Sequence, residues 1–446
     1  MPTPFTLPPA YMCRFSYRCR VKWARRDGRD HLDADMCRPG HPAPPERDGV
    51  TPPGSILIVG ASAAGLSTAE ALRRHGHEGR LTLLDAEPHL PYDRPPLSKQ
   101  VLAGLWEPAK AQLRSPAQLE ALGARFVRGE RAVALDAGAR SVTTSSGRVL
   151  SADAVVIATG LTSRRLPGQD GLAGVHTLRG LDDVLTLRTH LAGARRLVVV
   201  GEGVLGAEIA ATARGLGLDV TLAGLGHTLL RDQVGDVIGA LLGRLHAGRG
   251  IRLRLGAAVE SLSGENGRVI GVRLATGDLL PADAVVVAVG SRPATGWLAG
   301  SGLTLGDGVE CDTRCRAAEG VYAVGDVAAF EHEGLGRRLR LENRTNATEQ
   351  AQVVAANVLG ADRPYTPIPY FWTDQYDVKL QAHGLPAPDA EVSVTEGDPE
   401  QGRFAAVYRE DGEITGVLGW NMPKQARVLR QRSLGAWQRS QPLSSA

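Results

Sequence analysis

Residues Ile56-Leu57-Ile58-Val59-Gly60-Ala61-Ser62-Ala63-Ala64-Gly65 join an apolar run to a cluster of small side chains. Leu197-Val198-Val199-Val200-Gly201-Glu202-Gly203-Val204-Leu205-Gly206 repeats that pattern later in the chain. Each predicts a buried parallel strand, a tight turn and an alanine-rich helix. The chemistry such a turn supports is pyrophosphate binding: backbone N–H groups at a helix N-terminus meet the anion, and small residues keep side chains out of its path. One such turn is a weak signal. Two predict two nucleotides held by two related domains, and hence redox chemistry. An acid at the end of the strand after such a turn binds adenosine ribose hydroxyls, and after the first turn Asp85 and Glu87 both qualify. The strand after the second turn, Asp219-Val220-Thr221-Leu222-Ala223-Gly224, ends without an acid. Glu202 lies inside the second turn, where an acid facing a pyrophosphate would repel it. Its side chain is expected to point away from the ligand.

The elements that must position these turns form an internal duplication. The first copy reads as a strand over 56–60, a helix near 65–75 and a strand over 80–85. The second reads as a strand over 197–201, a helix near 206–216 and a strand over 219–222. The copies also close alike, with Ala152-Asp153-Ala154-Val155-Val156-Ile157-Ala158-Thr159-Gly160 and Ala282-Asp283-Ala284-Val285-Val286-Val287-Ala288-Val289-Gly290. Arg164-Arg165 and Arg292-Pro293 follow these strands as expected crossovers between domains. Short alternating segments over 124–128, 132–135 and 141–144, and over 251–255, 258–262 and 269–274, suit a small antiparallel crossover sheet in each copy. Gly147, Asn266-Gly267 and Gly277-Asp278 supply its turns.

Bulk composition narrows the function class. At 446 residues the chain predicts two or three domains. No stretch approaches the roughly 20 apolar residues of a membrane span, and the Met1 end lacks a compact apolar secretory run. The expectation is a cytoplasmic protein without a membrane role. A net charge of only +3 gives no support for nucleic-acid binding. The first 54 residues hold three of the five cysteines (Cys13, Cys19, Cys37), show no helical or strand period, and account for the whole net charge. Their thiols do not have zinc-ligand spacing, so they read as a disordered or spurious extension, and no metal site is expected. Cys311 and Cys315 lie late in the chain at a spacing unlike a redox-active pair, and they read as structural.

The chain from Ser55 to about Gly384 resembles the FAD-dependent NAD(P)H:ferredoxin and rubredoxin reductases of the putidaredoxin reductase type, which have a glutathione-reductase-like fold. The blocks that carry the resemblance are Pro91-Tyr92-Asp93-Arg94-Pro95-Pro96-Leu97-Ser98-Lys99, Val321-Tyr322-Ala323-Val324-Gly325-Asp326-Val327 and Phe371-Trp372-Thr373-Asp374-Gln375-Tyr376-Asp377. The resemblance assigns FAD to the turn of Gly60, Ser62, Ala64 and Gly65, and favours Glu87 over Asp85 as the ribose acid. It places Lys99 beside the flavin, paired with Glu208, as the catalytic residues. It adds Arg94, Ala132, Thr159, Gly160, Arg179, Gly290, Gly325, Asp326, Arg344 and Trp372 to the cofactor contacts, with Asp326 at a helix start near the ribityl chain. It assigns NADH or NADPH to Gly201, Gly203 and Gly206. Many relatives have an aromatic where Val204 stands, so the gate over the flavin would be smaller here. Relatives that prefer NADH usually have an acid where Gly224 stands, so the coenzyme is open, with NADH the family default and NADPH the alternative. His227 and Arg231 follow closely, but no arginine replaces the missing acid.

The fold class implied is α/β: two Rossmann-like, three-layer β/β/α dinucleotide-binding domains plus a smaller α+β C-terminal domain. The expected FAD domain covers 55–163 and 292–362, the NAD(P) domain 164–291 and the C-terminal domain 363–446. The implied activity is hydride transfer from NAD(P)H to FAD, then single-electron transfer to an iron–sulfur ferredoxin serving a monooxygenase or Rieske-type dioxygenase. Ferredoxins are acidic, and Lys424, Arg427 and Arg430 form a basic stretch that could steer one in. A monomer or homodimer is expected. The competing readings are an NADH oxidase on the same scaffold and a non-enzymatic redox-sensing flavoprotein.

Overall fold

Strands Ser55–Val59 and Ala154–Ile157 are buried along their whole length, as apolar strands inside a helix-covered parallel sheet must be. They form the centre of a six-stranded sheet ordered Arg316–Ala318, Val321–Ala323, Ala154–Ile157, Ser55–Val59, Arg80–Asp85, Arg125–Arg128. A five-stranded parallel sheet repeats the plan in the order Val175–His176, Ala284–Val287, Arg196–Val200, Asp219–Gly224, Arg252–Leu255. Even the register repeats. Val59 faces Leu84 and Ile157 in the first sheet, and Val200 faces Ala223 and Val287 in the second. The helices after the two turns, Ala63–Arg74 and Val204–Gly215, are both 12 residues long. The first of them packs along helix Arg344–Val358.

This computed structural model describes residues 25–26, 29–30 and 52–435. The chain divides into units Met1–Asp48 and Gly49–Ala446. In the first, Arg25–Arg26 pairs antiparallel with Arg29–Asp30. Apart from residues 52–54, the rest of the expected N-terminal extension, with Cys13, Cys19 and Cys37, lies outside the described residues.

The crossover sheets differ from expectation in one strand each. They consist of Ala132–Asp136, Ser141–Thr144 and Val149–Ser151, and of Val259–Glu265, Arg268–Leu274 and Leu279–Pro281. Arg125–Arg128 and Arg252–Leu255 instead pair parallel with Arg80–Asp85 and Asp219–Gly224. A parallel neighbour needs a crossover, and helices Pro116–Ala121 and Arg231–Gly248 precede these strands and supply it. Leu161–Ser163, just before the expected crossover Arg164-Arg165, pairs as an antiparallel ribbon with Ser291–Pro293, which contains the other expected crossover, Arg292-Pro293. A further four-stranded sheet, Leu305–Gly306, Gly308–Cys311, Ala328–His332 and Arg337–Leu339, had no signature in the sequence. The C-terminal part is a five-stranded antiparallel sheet ordered Tyr370–Gln375, Val378–Gly384, Glu413–Trp420, Arg403–Glu410, Glu391–Asp398. Helix Pro423–Ser433 packs against it.

Candidate active site

Both turns have the same geometry because the same steric problem recurs. Gly60 and Gly201 sit at φ +106° and +117°. A Cβ on either would lie 2.3 or 2.2 Å from the carbonyl oxygen of Ala158 or Ala288 on the closing strand. A Cβ on Gly65 or Gly206 would lie 1.8 or 1.9 Å from the carbonyl oxygen of Gly60 or Gly201, so these glycines let helix and strand meet. Gly203, in contrast, faces open space: a Cβ there meets nothing within 4 Å. Ser62 occupies the equivalent N-cap position of the first helix and makes no side-chain capping bond. Neither helix has an acid in its first turn. These cradles fit dinucleotide pyrophosphates, with free N–H groups and a favourable helix dipole.

Around the Gly60 turn the loop Pro91–Lys99 builds a charged wall. The two candidate ribose acids take separate positions. Asp85 accepts from the Ala61 N–H at 3.1 Å and the Glu87 N–H at 3.2 Å, which fixes it to the turn itself. Burial raises its carboxyl above the ordinary value. Glu87 instead accepts from the Tyr92 hydroxyl and from Arg94 Nη2, the latter at 2.6 Å. Arg94 also donates to the Arg179 carbonyl at 2.6 Å. Arg179 Nη2 lies 3.8 Å from Asp326 Oδ2 and would be 3.2 Å from a Cβ on Gly160, which sits at φ +64°. Burial pushes the Asp326 carboxyl up to about 6, and the Arg179 cation opposes this. A Cβ on Gly325 would lie 2.8 Å from that of Ala64, which ties the Asp326 loop to the first helix. Arg344 donates to Asp93 at 2.6 Å. Thr159 donates to the Ala294 carbonyl at 3.1 Å. Ala132 is buried at the start of its crossover strand. The helix start expected at Asp326 is not an α-helix: Asp326 lies in the three-residue 3-10 turn Gly325–Val327, which leads straight into strand Ala328–His332. So short a turn has no appreciable macrodipole, and Asp326 must act through its own charge.

The expected ion pair is present. Lys99 Nζ donates to Glu208 Oε2 at 2.8 Å, with both side chains largely buried. Lys99 lies on the single π-helical turn Leu97–Val101 and Glu208 on the helix after the Gly201 turn. Two hydroxyls that the sequence did not single out complete the shell: Ser98 donates to Glu208 Oε2 at 2.5 Å and Thr373 to Oε1 at 2.7 Å. The Lys99 ammonium also lies 5.2 Å from the Trp372 ring centroid, a cation–π distance. A turn beside the first nucleotide cradle, the helix of the second and a strand of the C-terminal sheet therefore converge on one carboxylate. Ser98 and Thr373 are immediate neighbours of Lys99 and Trp372, and that adjacency was the only signal for them.

At the Gly201 turn, the Glu202 side chain reaches toward the strand end: its Oε1 accepts from the Gly226 N–H at 2.7 Å. Arg231 is held by Asp236 at 2.9 Å, and His227 is exposed. Val204 is the first residue of its helix and packs on the core. Gly290 sits at φ +89° before the crossover ribbon.

Cys311 and Cys315 are buried free thiols. Burial holds the Cys311 thiol well above its ordinary value and pushes Cys315 up to about 12, which suits inert structural thiols. Arg427 and Arg430 share one face of helix Pro423–Ser433, lining a cavity of about 350 Å³ with Glu349, Tyr370 and His383. Among the described residues there is no cluster of potential metal ligands, and no helix is long and apolar enough to cross a membrane.

Paired nucleotide cradles facing a buried lysine–carboxylate pair define a two-dinucleotide oxidoreductase. Residues 54–351 match the pyridine nucleotide-disulphide oxidoreductase family, and residues 370–439 match the reductase C-terminal family. The chain belongs to the pyridine nucleotide-disulphide oxidoreductase family. It is 40% identical to the benzene 1,2-dioxygenase system ferredoxin–NAD(+) reductase subunit of Pseudomonas putida, over 83% of this chain and 90% of that one. It is 37% identical to the 5,5'-dehydrodivanillate O-demethylase ferredoxin reductase subunit of Sphingobium, over 84% and 92%. Its fold matches the covalent putidaredoxin reductase–putidaredoxin complex with a TM-score of 0.80 at 31% identity, covering 86% of this chain and 92% of that one.

Proposed function

We propose that this protein is an NAD(P)H-dependent flavoprotein ferredoxin reductase that supplies electrons to an oxygenase. The observation that carries this reading is the Lys99–Glu208 pair, in which the loop of the first nucleotide cradle meets the helix of the second. When bound, FAD supplies the conversion of a two-electron hydride donor into single-electron steps. The backbone N–H groups of the Gly60–Gly65 turn hold its pyrophosphate, and Asp85, fixed to that turn, serves the ribose. Glu87 then has a different role from the one the resemblance favoured: it orients Arg94. Arg94, Arg179 and Arg344 supply positive charge along the cradle, and Asp326 accepts from the ribityl chain. Lys99, held by Glu208 and the Trp372 face, presents a fixed cation that stabilises negative charge at the redox centre. The Gly201–Gly206 turn holds the nicotinamide dinucleotide.

The electron acceptor in this reading is an acidic iron–sulfur ferredoxin serving a monooxygenase or dioxygenase, and Lys424, Arg427 and Arg430 are its docking cations. The buried free thiols suit a reducing cytoplasm. The testing experiment is stopped-flow reduction of the FAD-loaded protein by NADH and by NADPH, followed by mixing with ferredoxin. Rapid bleaching of the flavin band and rapid ferredoxin reduction are expected. Robust oxygen consumption without ferredoxin would favour an oxidase instead, and bleaching far too slow for turnover would favour a sensor.

A further inference from the structure

The two repeats bring an acid to the same backbone N–H by different routes. In the first repeat the acid stands at the strand end. Asp85 Oδ1 accepts from the N–H of Glu87, two residues on, and Oδ2 from the N–H of Ala61 in the turn. The shared register, Val59 opposite Leu84 and Val200 opposite Ala223, makes Ala61 equivalent to Glu202 and Asp85 equivalent to Gly224. In the second repeat the acid stands in the turn and the strand end is bare. Glu202 Oε1 nonetheless accepts from the N–H of Gly226, two residues beyond Gly224. The same backbone donor is therefore met by a carboxylate in both copies. The volumes agree as well. A Cβ on Gly224 would lie 1.8 Å from Glu202 Oε2, and one on Gly226 would lie 2.6 Å from Oε1. The Glu202 carboxylate occupies the space that a strand-end side chain would take, and glycine at 224 is what lets it do so.

We propose that Glu202 is the coenzyme-selecting residue: it supplies from the turn the ribose acid that the strand end lacks, and it makes the protein selective for NADH. This rests on the reductase reading above. Oε2 is the oxygen turned toward the bare strand end, and it accepts from the adenosine ribose hydroxyls. A 2′-phosphate at that place would set a dianion against the carboxylate. The neighbouring cations do not offset this. Arg231 is engaged by Asp236, and Arg254, on the adjacent strand, directs Nη1 to the Leu253 carbonyl. The backbone of Glu202 is also fixed, since its carbonyl accepts from the Leu230 N–H at 3.0 Å. The missing acid at Gly224 thus signals a relocated acid rather than a relaxed coenzyme preference.

The test is calorimetric titration of the FAD-loaded full chain with NAD+ and with NADP+, which reads binding without turnover. The native protein is expected to bind NAD+ more tightly by on the order of tenfold or more. Glu202→Gln should weaken NAD+ binding by on the order of tenfold, the loss of a charge-assisted hydrogen bond, and tighten NADP+, so that the preference collapses. Glu202→Gly combined with Gly224→Glu, which returns the acid to the strand end, should restore the preference and guards against a merely misfolded single variant. Native protein that binds both equally, or a Glu202→Gln preference within about twofold of native, overturns the proposal. So does a double variant that keeps FAD yet does not regain the preference. Native holoenzyme that binds neither dinucleotide would overturn the reductase reading itself, which keeps the two failures distinct.

Discussion

Glu208 is a buried carboxylate with three side-chain donors, Lys99, Ser98 and Thr373, drawn from two separate parts of the chain. Removing the one cation leaves a buried negative charge with two hydroxyls. Lys99→Met should therefore cost about 3 kcal/mol of stability in urea unfolding, the usual penalty for stranding one member of a buried pair. Lys99→Met with Glu208→Gln should recover most of that loss, because no charge is then left uncompensated. The rate of flavin reduction should fall in both, by on the order of tenfold or more, since the fixed cation is gone from each. Recovery of stability without recovery of rate separates the two roles of Lys99; a double variant as unstable as the single would show that the pair is not the source of the loss. At this scale the sequence was informative where the side chain was charged. The family resemblance paired Lys99 with Glu208, whereas Ser98 and Thr373, though they lie inside the blocks that carry the resemblance, act through hydroxyls whose partners lie far away in sequence, and no spacing marks such a contact. The exchange of acid between strand end and turn was half legible: the bare Gly224 and the odd Glu202 were each visible, but only their contact shows that one answers the other.

At the scale of elements, two turns of equal geometry should have separable functions. Gly65→Ala forces a Cβ to within 1.8 Å of the Gly60 carbonyl oxygen and Gly206→Ala to within 1.9 Å of that of Gly201. The first variant should purify without its flavin absorbance. The second should stay yellow but lose NAD+ binding by calorimetry and reduction by NADH in stopped flow. Loss of flavin from both would mean that the turns do not act independently. A second element, strand Val378–Gly384, contains His383, buried and stacked on Tyr370 with ring centroids 4.6 Å apart. Burial, with the nearby Arg430 cation, lowers its imidazole from 6.5 to about 4. A depressed histidine favours the folded state above its unfolded value and loses that contribution as acid is added. Stability should fall between pH 6.5 and 4, by on the order of 3 kcal/mol from this group. His176 should add to the fall, because burial lowers it to about 4 as well. In His383→Phe, which keeps the stacking without the titration, urea midpoints should decline less steeply across that window. Long apolar strands and alanine-rich helices were legible because burial on both faces leaves continuous apolar runs. Arg125–Arg128 and Arg252–Leu255 were assigned to the wrong sheets because alternation does not distinguish a parallel edge strand from an antiparallel one. Strands such as Leu305–Gly306 and Arg337–Leu339, only two or three residues long, are too short to carry a period at all.

For the whole molecule, a net charge of +3 spread over 446 residues is too weak to steer an acidic partner, so any steering must come from a local patch. Helix Pro423–Ser433 offers one, with Lys424 and Arg427 exposed and Arg430 half-buried. These cations are not equivalent. Burial raises the Glu349 carboxyl across the cavity, and Arg430 opposes that rise, so Arg430 supports the fold as well as the surface. Reversing Arg430 would set two acids together and confuse docking with unfolding. The informative variant is Lys424→Glu with Arg427→Glu, which changes the exposed charges and leaves Arg430 in place. Its kcat/KM for ferredoxin at low salt should fall by on the order of tenfold, with native and variant rates converging as ionic strength rises past the point where the screening length drops below about 10 Å. Its flavin reduction by NADH, measured without ferredoxin, should match the native protein, because neither residue lies near the Lys99–Glu208 pair in the hydrogen-bond network. An unchanged ferredoxin rate and an unchanged salt slope would move the docking face away from this helix while leaving the hydride half of the reaction where the two cradles put it.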